Sequence, residues 1–352
     1  MPGIYYFAYL TDKVYEGGMA RNYAFFIRFK SITKNIYHVY NKNKIRRVLF
    51  FFRAVLLMTF AREKKIFLHQ GSILILFPIS LFGYKLFRKV FFVFLKYVSK
   101  KNKLFIEVND LPHEQAIDLQ LEVKKEYIIF EDLIYSLKDT NYIFASNFMR
   151  DFVCSKYKID LSFTQVLING GPRLIAENAM IHDVFKQTNK IKIIYAGSLN
   201  EGRNIRDLIS LFEKKNDLFL ILIGTDGNWL KDCSLSDNIF YLGNFEEHEA
   251  HRIASLCDIG LLPYDNTKFY YNLCYPTKVS FYITAGIPVL STPLKELQNV
   301  FKDSKSIEFV IFNEWKNYLD GIDDFKLEVM RDAAESQATD FQWATLLDSL
   351  EL

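Results

Sequence analysis

Cysteine is scarce. The four present, Cys154, Cys233, Cys257 and Cys274, form no CxxC pair and no regular framework. That excludes a disulfide scaffold and a thiolate zinc site, and points to a reduced, cytosolic chain. The six histidines show neither HExxH nor HxH spacing, so no metal-ligand motif is present. Long apolar runs are also missing. The best one, residues 66–87, is broken by His69, Gln70, Pro78 and Lys85. A spanning helix needs about 20 apolar residues, so this run reads as buried structure. The first 13 residues lack a basic start and are tyrosine-rich, which argues against a signal peptide. The expected location is cytoplasmic, with peripheral attachment at the inner face of the plasma membrane. No tandem repeat is visible.

Acid is nearly absent from one region. Residues 1–105 hold 20 lysines and arginines against three acids, Asp12, Glu16 and Glu63, a net +17. The remainder carries 24 basic against 38 acidic residues, a net −14. Such asymmetry is a partner signal. The basic residues are interleaved with Phe, Leu, Ile and Val, as in residues 48–60 and 84–97. That mixture favours an anionic membrane surface over nucleic acid.

What is abundant is apolar and aromatic: half the residues are hydrophobic, with 33 Phe and 21 Tyr. A chain of 352 residues predicts about two domains. Short apolar runs alternate with helix-length segments throughout. Strands are expected at residues 4–9, 35–39, 65–70, 104–108, 142–145 and 165–168. Helices are expected at 23–29, 45–63, 74–86, 126–137 and from Ser146 to 157, while 90–101 is ambiguous between helix and strand. A Gly170-Gly171-Pro172 break opens a polar linker to residue 190. The pattern then restarts with strands at 192–196, 218–223, 239–245, 259–263, 287–292 and 307–311, and closes with helices at 324–337 and 341–350. Alternation of this kind predicts doubly wound parallel sheets.

Two stretches suggest an anion site. In residues 255–292 a strand stopped by Pro263 is followed by an aromatic loop. Pro276 then opens a helix carrying Thr277 and Lys278 in its first turn. A helix start offers N–H groups and the positive end of its dipole, and Lys278 adds a full charge. Near the N-terminus, Gly17 and Gly18 lie between a strand and a helix, where backbone can approach an acceptor or diphosphate group.

The second half resembles the C-terminal domain of GT-B glycosyltransferases. The resemblance rests on IIYAGSLNEGRNIRDLI, LFLILIGTDG, IFYLGNFEEHEAHRIASLCDIGLLPY and NLCYPTKVSFYITAGIPVLST, in that order and spacing. FIEVNDLPHE, YIFASNFMRDFV and VLINGGP are similar to the later N-domain strands and the domain junction. The form PTKVSFYITAGIPV is most similar to family 4-like bacterial enzymes that add galactofuranose or glucose to cell-surface glycans.

The resemblance implies an α/β chain with two Rossmann-like doubly wound domains facing across a cleft. Residues 1–170 would bind the acceptor, 171–335 the nucleotide sugar, and 336–352 would pack back on the first domain. It implies transfer of a hexosyl group from a nucleotide diphosphate sugar, a UDP-sugar, to a growing cell-surface glycan or lipid-linked oligosaccharide, with no cofactor. Gly197, Ser198, Arg203, Thr277 and Lys278 would face the diphosphate, Asn244 and Phe245 the nucleobase, and Asn272 would belong to the donor site. Arg203 and Lys278 could neutralise the leaving group without a metal.

One departure matters. The family's two glutamates, eight positions apart, align with Leu273 and Phe281, and no acid lies between Asp265 and Glu296. An inverting reaction needs a general base. Asp110 is the first candidate, with Glu114, Asp12, Glu16 and His69 as alternatives. Two rival readings are a non-catalytic GT-B subunit that binds a partner transferase or glycan, and, less favoured, a sugar-nucleotide epimerase.

Overall fold

The structure is a computed structural model that describes residues 3–11, 17–174, 183–186, 190–200, 204–215 and 217–352. It divides into two compact units. Gly18–Ile168 and Leu347–Leu352 join the first strand in one, and Asn169–Leu346 forms the other.

The first unit runs β1 (Ile4–Ala8), α1 (Gly17–Ile32), β2 (Ile36–His38), α2 (Lys44–Phe60), β3 (Lys65–His69), α3 (Gln70–Leu76), α4 (Lys85–Lys101), β4 (Lys103–Val108), α5 (Pro112–Asp118), α6 (Lys125–Tyr135), β5 (Thr140–Phe144), α7 (Asn147–Tyr157) and β6 (Thr164–Val166). All six strands pair in parallel, in the order β2-β1-β3-β4-β5-β6. Phe67, Leu68, Phe105 and Ile106 are buried in the central strands, which need apolar side chains on both faces because helices cover both.

Caps set several boundaries. The Asn43 side chain accepts from the backbone N–H groups of Ile45 and Arg46 to start α2. Ser146 Oγ accepts from Met149 N at 3.1 Å to start α7, as expected. Two elements differ from the sequence expectation, and one left open is settled. Residues 74–86 do not form one helix: α3 ends at Leu76, and a 3-10 turn follows at Ile79–Gly83. Pro78 between them has no N–H, and it pushes Phe77 out of the helical region to φ −122, ψ 86. The ambiguous residues 90–101 are helical, within α4. Helix α1 starts at Gly17 rather than Tyr23, with Gly17 and Gly18 inside its first turn. Its early turns are anchored by Arg21, which donates to Leu167 O at 2.8 Å, and by Asn22 Nδ2, which donates to Tyr9 O at 3.1 Å.

The second unit runs β7 (Ile191–Ala196), α8 (Ile205–Phe212), β8 (Leu218–Ile223), β9 (Ile239–Gly243), α9 (Glu247–Ser255), β10 (Ile259–Leu262), α10 (Phe269–Leu273), α11 (Thr277–Thr284), β11 (Val289–Ser291), α12 (Lys295–Val300), β12 (Ile307–Phe309), α13 (Trp315–Asp320) and α14 (Asp324–Gln337); α15 (Trp343–Asp348) leads to the C-terminus. Its strands are also all parallel, ordered β12-β11-β10-β7-β8-β9. Ile193, Tyr195, Leu220, Leu222, Ile259 and Leu261 share a core with Trp315. The strand order reverses between β7 and β10, and open α/β sheets bind ligands at the carboxyl ends of strands at such a switch point. The loop expected at residues 264–275 contains a helical turn, α10. Both units have the doubly wound α/β architecture read from the alternating pattern.

The chain's last residues return to the first unit. Gln165 Nε2 donates to Glu351 O and Gln165 Oε1 accepts from Glu351 N, both at 2.9 Å. Arg28 pairs with Asp348 at 2.9 Å, and Lys65 Nζ donates to Leu352 O.

Candidate functional site

At the switch point of the second unit, Lys278 lies over the loop that follows β7. Pro276 is the N-cap of α11, with Thr277 its first helical residue and Lys278 its second. Two tyrosines hold the ammonium. It donates to Tyr264 Oη at 3.1 Å, and it stands 5.4 Å and 5.5 Å from the ring centroids of Tyr195 and Tyr264. Aromatic faces attract a cation without neutralising it. Below it lies Gly197, whose φ of +148° favours glycine; a Cβ there would sit 2.6 Å from Lys278 Nζ. The Cβ-less position lets the charge rest against backbone at the end of β7.

The helix behind this cation is anchored to the sheet. The Tyr282 ring occupies the space a Cβ on Gly260 would fill. Tyr282 Oη accepts from Ala196 N at 2.8 Å. One side chain of α11 thus ties the helix to β7 and β10, and fixes where Lys278 stands.

Around this centre, Ser198 Oγ donates to Asp226 Oδ2 at 2.8 Å and Thr225 Oγ1 to the same oxygen at 3.2 Å, joining the loops after β7 and β8. Thr277 is half-buried, Asn244 is exposed and Phe245 half-buried, the last two just past β9. Asn272 is committed to backbone: Nδ2 donates to Asn266 O and Lys268 O, both at 2.8 Å, and Oδ1 accepts from Lys295 N at 3.1 Å. It shapes the loop before α11. Leu273 is buried, and the Phe281 ring meets His251 edge-on at 5.0 Å, so apolar packing fills both positions where the family's glutamates align. Arg203 lies outside the described residues. Tyr195, Tyr264 and Asp226 were not singled out from sequence; the aromatic loop was the available signal for Tyr264.

In the first unit, a buried polar chain crosses the middle of the sheet. Arg21 Nε donates to Glu107 Oε1 at 2.5 Å, Glu107 Oε2 lies 2.9 Å from His69 Nδ1, and His69 Nε2 lies 2.7 Å from Tyr6 Oη. Burial pushes the Glu107 carboxyl up, but Arg21 and His69 together outweigh it and hold it below its ordinary value. Both ring nitrogens of His69 are engaged within this chain. A charged residue inside the apolar run LFIEV was the sequence signal for it.

Asp110 stands just past the end of β4, half-buried, and accepts from Asn109 Nδ2 at 3.2 Å. Glu114, on α5, is buried and accepts from Lys156 Nζ at 2.9 Å. Glu131, on α6, is buried, and burial and then the charge of Glu114 push it up to about 8. Asp12 and Glu16 lie outside the described residues.

Among the described residues, no helix is long and apolar enough to cross a membrane. No curated protein matches the chain by sequence. The family model described as glycosyl transferases group 1 matches residues 177–339. Among solved structures, WaaG, a glycosyltransferase involved in lipopolysaccharide biosynthesis, is 10% identical with a TM-score of 0.60, over 99% of this chain and 98% of that one. Anabaena HepE, solved in complex with UDP-glucose, is 12% identical with a TM-score of 0.59, over 99% of this chain and 100% of that one. Sucrose-phosphate synthase from Thermosynechococcus elongatus is 14% identical with a TM-score of 0.57, over 81% of this chain and 71% of that one. At such identities the likeness is one of fold. Residues 177–339 thus match the glycosyl transferases group 1 model, and the two α/β units of the chain have the GT-B fold.

Proposed function

We propose that the chain moves a hexosyl group from a nucleotide diphosphate sugar, a UDP-sugar, to a growing cell-surface glycan or lipid-linked oligosaccharide. The setting is the cytoplasmic face of an anionic membrane, met by the basic N-terminal half. The observation that carries the donor assignment is Lys278, held by two tyrosines over the bare backbone of Gly197. A leaving nucleoside diphosphate gains negative charge in the transition state. A fixed cation at a helix start, beside Gly197, Ser198 and Thr277, stabilises that charge without reorganising. Arg203 is assigned the same task, and together these groups replace a metal. Anabaena HepE was solved with UDP-glucose, which agrees with a UDP-sugar donor.

The acceptor hydroxyl must lose a proton as it attacks. We assign that proton to Asp110, at a strand end in the first unit, and read the reaction as inverting. Glu114 is the weaker choice because Lys156 neutralises it. Turnover of a panel of nucleotide diphosphate sugars by the purified full-length protein, with lipid-linked and soluble glycan acceptors, tests the reading. Donor-dependent product formation is expected. Nucleotide binding without turnover on any acceptor would assign the chain to the non-catalytic class.

A further inference from the structure

Helix α2 is amphipathic the wrong way round, and α4 carries an exposed apolar stripe beside it. In α2 the residues Ile45, Leu49, Phe52, Leu56 and Phe60 recur every third or fourth position, so they form one stripe, and that stripe is exposed. Phe52 is 59% exposed and Phe60 73%. The buried face of the same helix is Ala54 and Met58. Helix α4 buries Phe91, Leu95 and Val98 on its inner face, yet it also exposes an apolar stripe of Leu86, Val90 and Val93, with Leu86 75% exposed. The two helices pack together through Phe77, whose ring meets Phe51 at 5.5 Å and Phe91 at 5.0 Å. Their outward stripes therefore belong to adjacent helices of one unit. Around them are ten lysines and arginines, four on α2 and six on α4, and neither helix contains an acid.

We infer that the outer face of α2 and α4 is a membrane-insertion surface, whose apolar stripe enters the acyl boundary of an anionic bilayer while its basic residues meet the headgroups. The inference rests on the proposed membrane setting and names the surface responsible. A contiguous apolar patch exposed on a folded unit marks a docking site. Charge selects the occupant. A protein interface is depleted of lysine, whereas Lys44, Lys85, Lys89 and Lys96 stand here among the apolar residues. Long basic side chains can run along apolar surface and place their heads at phosphate level, as interfacial helices require.

The test uses the full-length protein with vesicles of phosphatidylglycerol and phosphatidylcholine, against phosphatidylcholine alone. Phe52→Ser with Leu56→Ser should lower partition onto anionic vesicles about tenfold or more, from the loss of two inserted side chains. Lys85→Glu with Lys89→Glu should lower it comparably, and only on anionic vesicles. Both pairs are exposed, so an unchanged thermal midpoint confirms the fold. Phe52→Trp should be quenched by brominated acyl chains. Unaltered partition in the serine variant, no quenching, or equal binding to neutral vesicles would overturn the insertion surface. So would self-association without vesicle binding, which would assign the face to a second copy. Nucleotide diphosphate binding, followed in the same samples, separates this from the transferase reading: its failure with vesicle binding intact removes the donor site and leaves the surface.

Discussion

Lys278 occupies the space above Gly197: its Nζ lies 2.6 Å from where a Cβ on residue 197 would be. The glycine and the lysine are 81 positions apart in sequence, and each explains the other. Gly197 has to be bare because the cation rests on it. The cation is held because Tyr195 and Tyr264 flank it and Tyr282 pins its helix to Ala196 N.

Lys278→Ala is expected to weaken nucleotide diphosphate binding by about 1.5–3 kcal/mol, the loss of one charged hydrogen bond. Gly197→Ala should do similar damage by displacing the lysine and straining a positive φ. In the Lys278→Ala background the same change should add less, because only the backbone strain remains. Isothermal titration with UDP across the double-mutant cycle measures this. Strict additivity would show that the two residues act independently.

Asp110→Asn should leave UDP binding intact and slow transfer by about 10²–10⁴-fold at saturating donor and acceptor, the usual contribution of a general base. A loss below about tenfold would move the role to another carboxylate. The product's anomeric configuration is read in the same assay, and retention would remove the inverting base altogether.

Glu107→Ala should destabilise the protein by about 3–5 kcal/mol, because it leaves the Arg21 guanidinium buried without its carboxylate. Chemical denaturation provides the value. A cost below about 1 kcal/mol would mean that the Arg21 bond to Leu167 O satisfies the charge by itself.

Glu131 sets a pH dependence. Its folded value, about 8, lies above the ordinary 4.5, so the folded state holds this proton more tightly than the unfolded chain. Its contribution to stability is therefore full below pH 4.5 and is lost as pH rises through 8. Glu131→Gln keeps the shape and removes the titration. Thermal midpoints from pH 5 to 9 should fall for the native chain and change less for the variant. Parallel curves would refute the assignment.

His251 works in the opposite direction. Burial lowers it to about 4, beside Thr284 Oγ1 at 3.0 Å. Its neutral form stabilises the fold above the ordinary 6.5, and that contribution is lost as pH falls from 6.5 through 4. His251→Gln should flatten the acid side of the stability curve. Unchanged acid sensitivity would place the titration elsewhere.

The sequence alone determined the architecture. Apolar runs of strand length alternating with helices leave a doubly wound parallel sheet as the arrangement that buries both faces of each strand. Ser146 and Pro276 mark helix starts through local chemistry, and the pairing of Lys278 with a helix start was legible for the same reason. The series of motifs ending in PTKVSFYITAGIPVLST identified the family resemblance. Tertiary structure decided what depends on distant partners. Pro78 ends a helix that periodicity carried through it. His69 was a candidate base by its strand-end position, yet both its nitrogens are taken by Tyr6 and Glu107, 63 and 38 residues away. Asn272 looked like a donor ligand and binds the backbone of its own loop and of Lys295. The direction of α2 was likewise not legible. Its period shows an apolar stripe, but only the packing of Ala54 and Met58 beneath it decides that the stripe faces outward. Period fixes which residues share a face, and the neighbours across the sheet fix which face is covered.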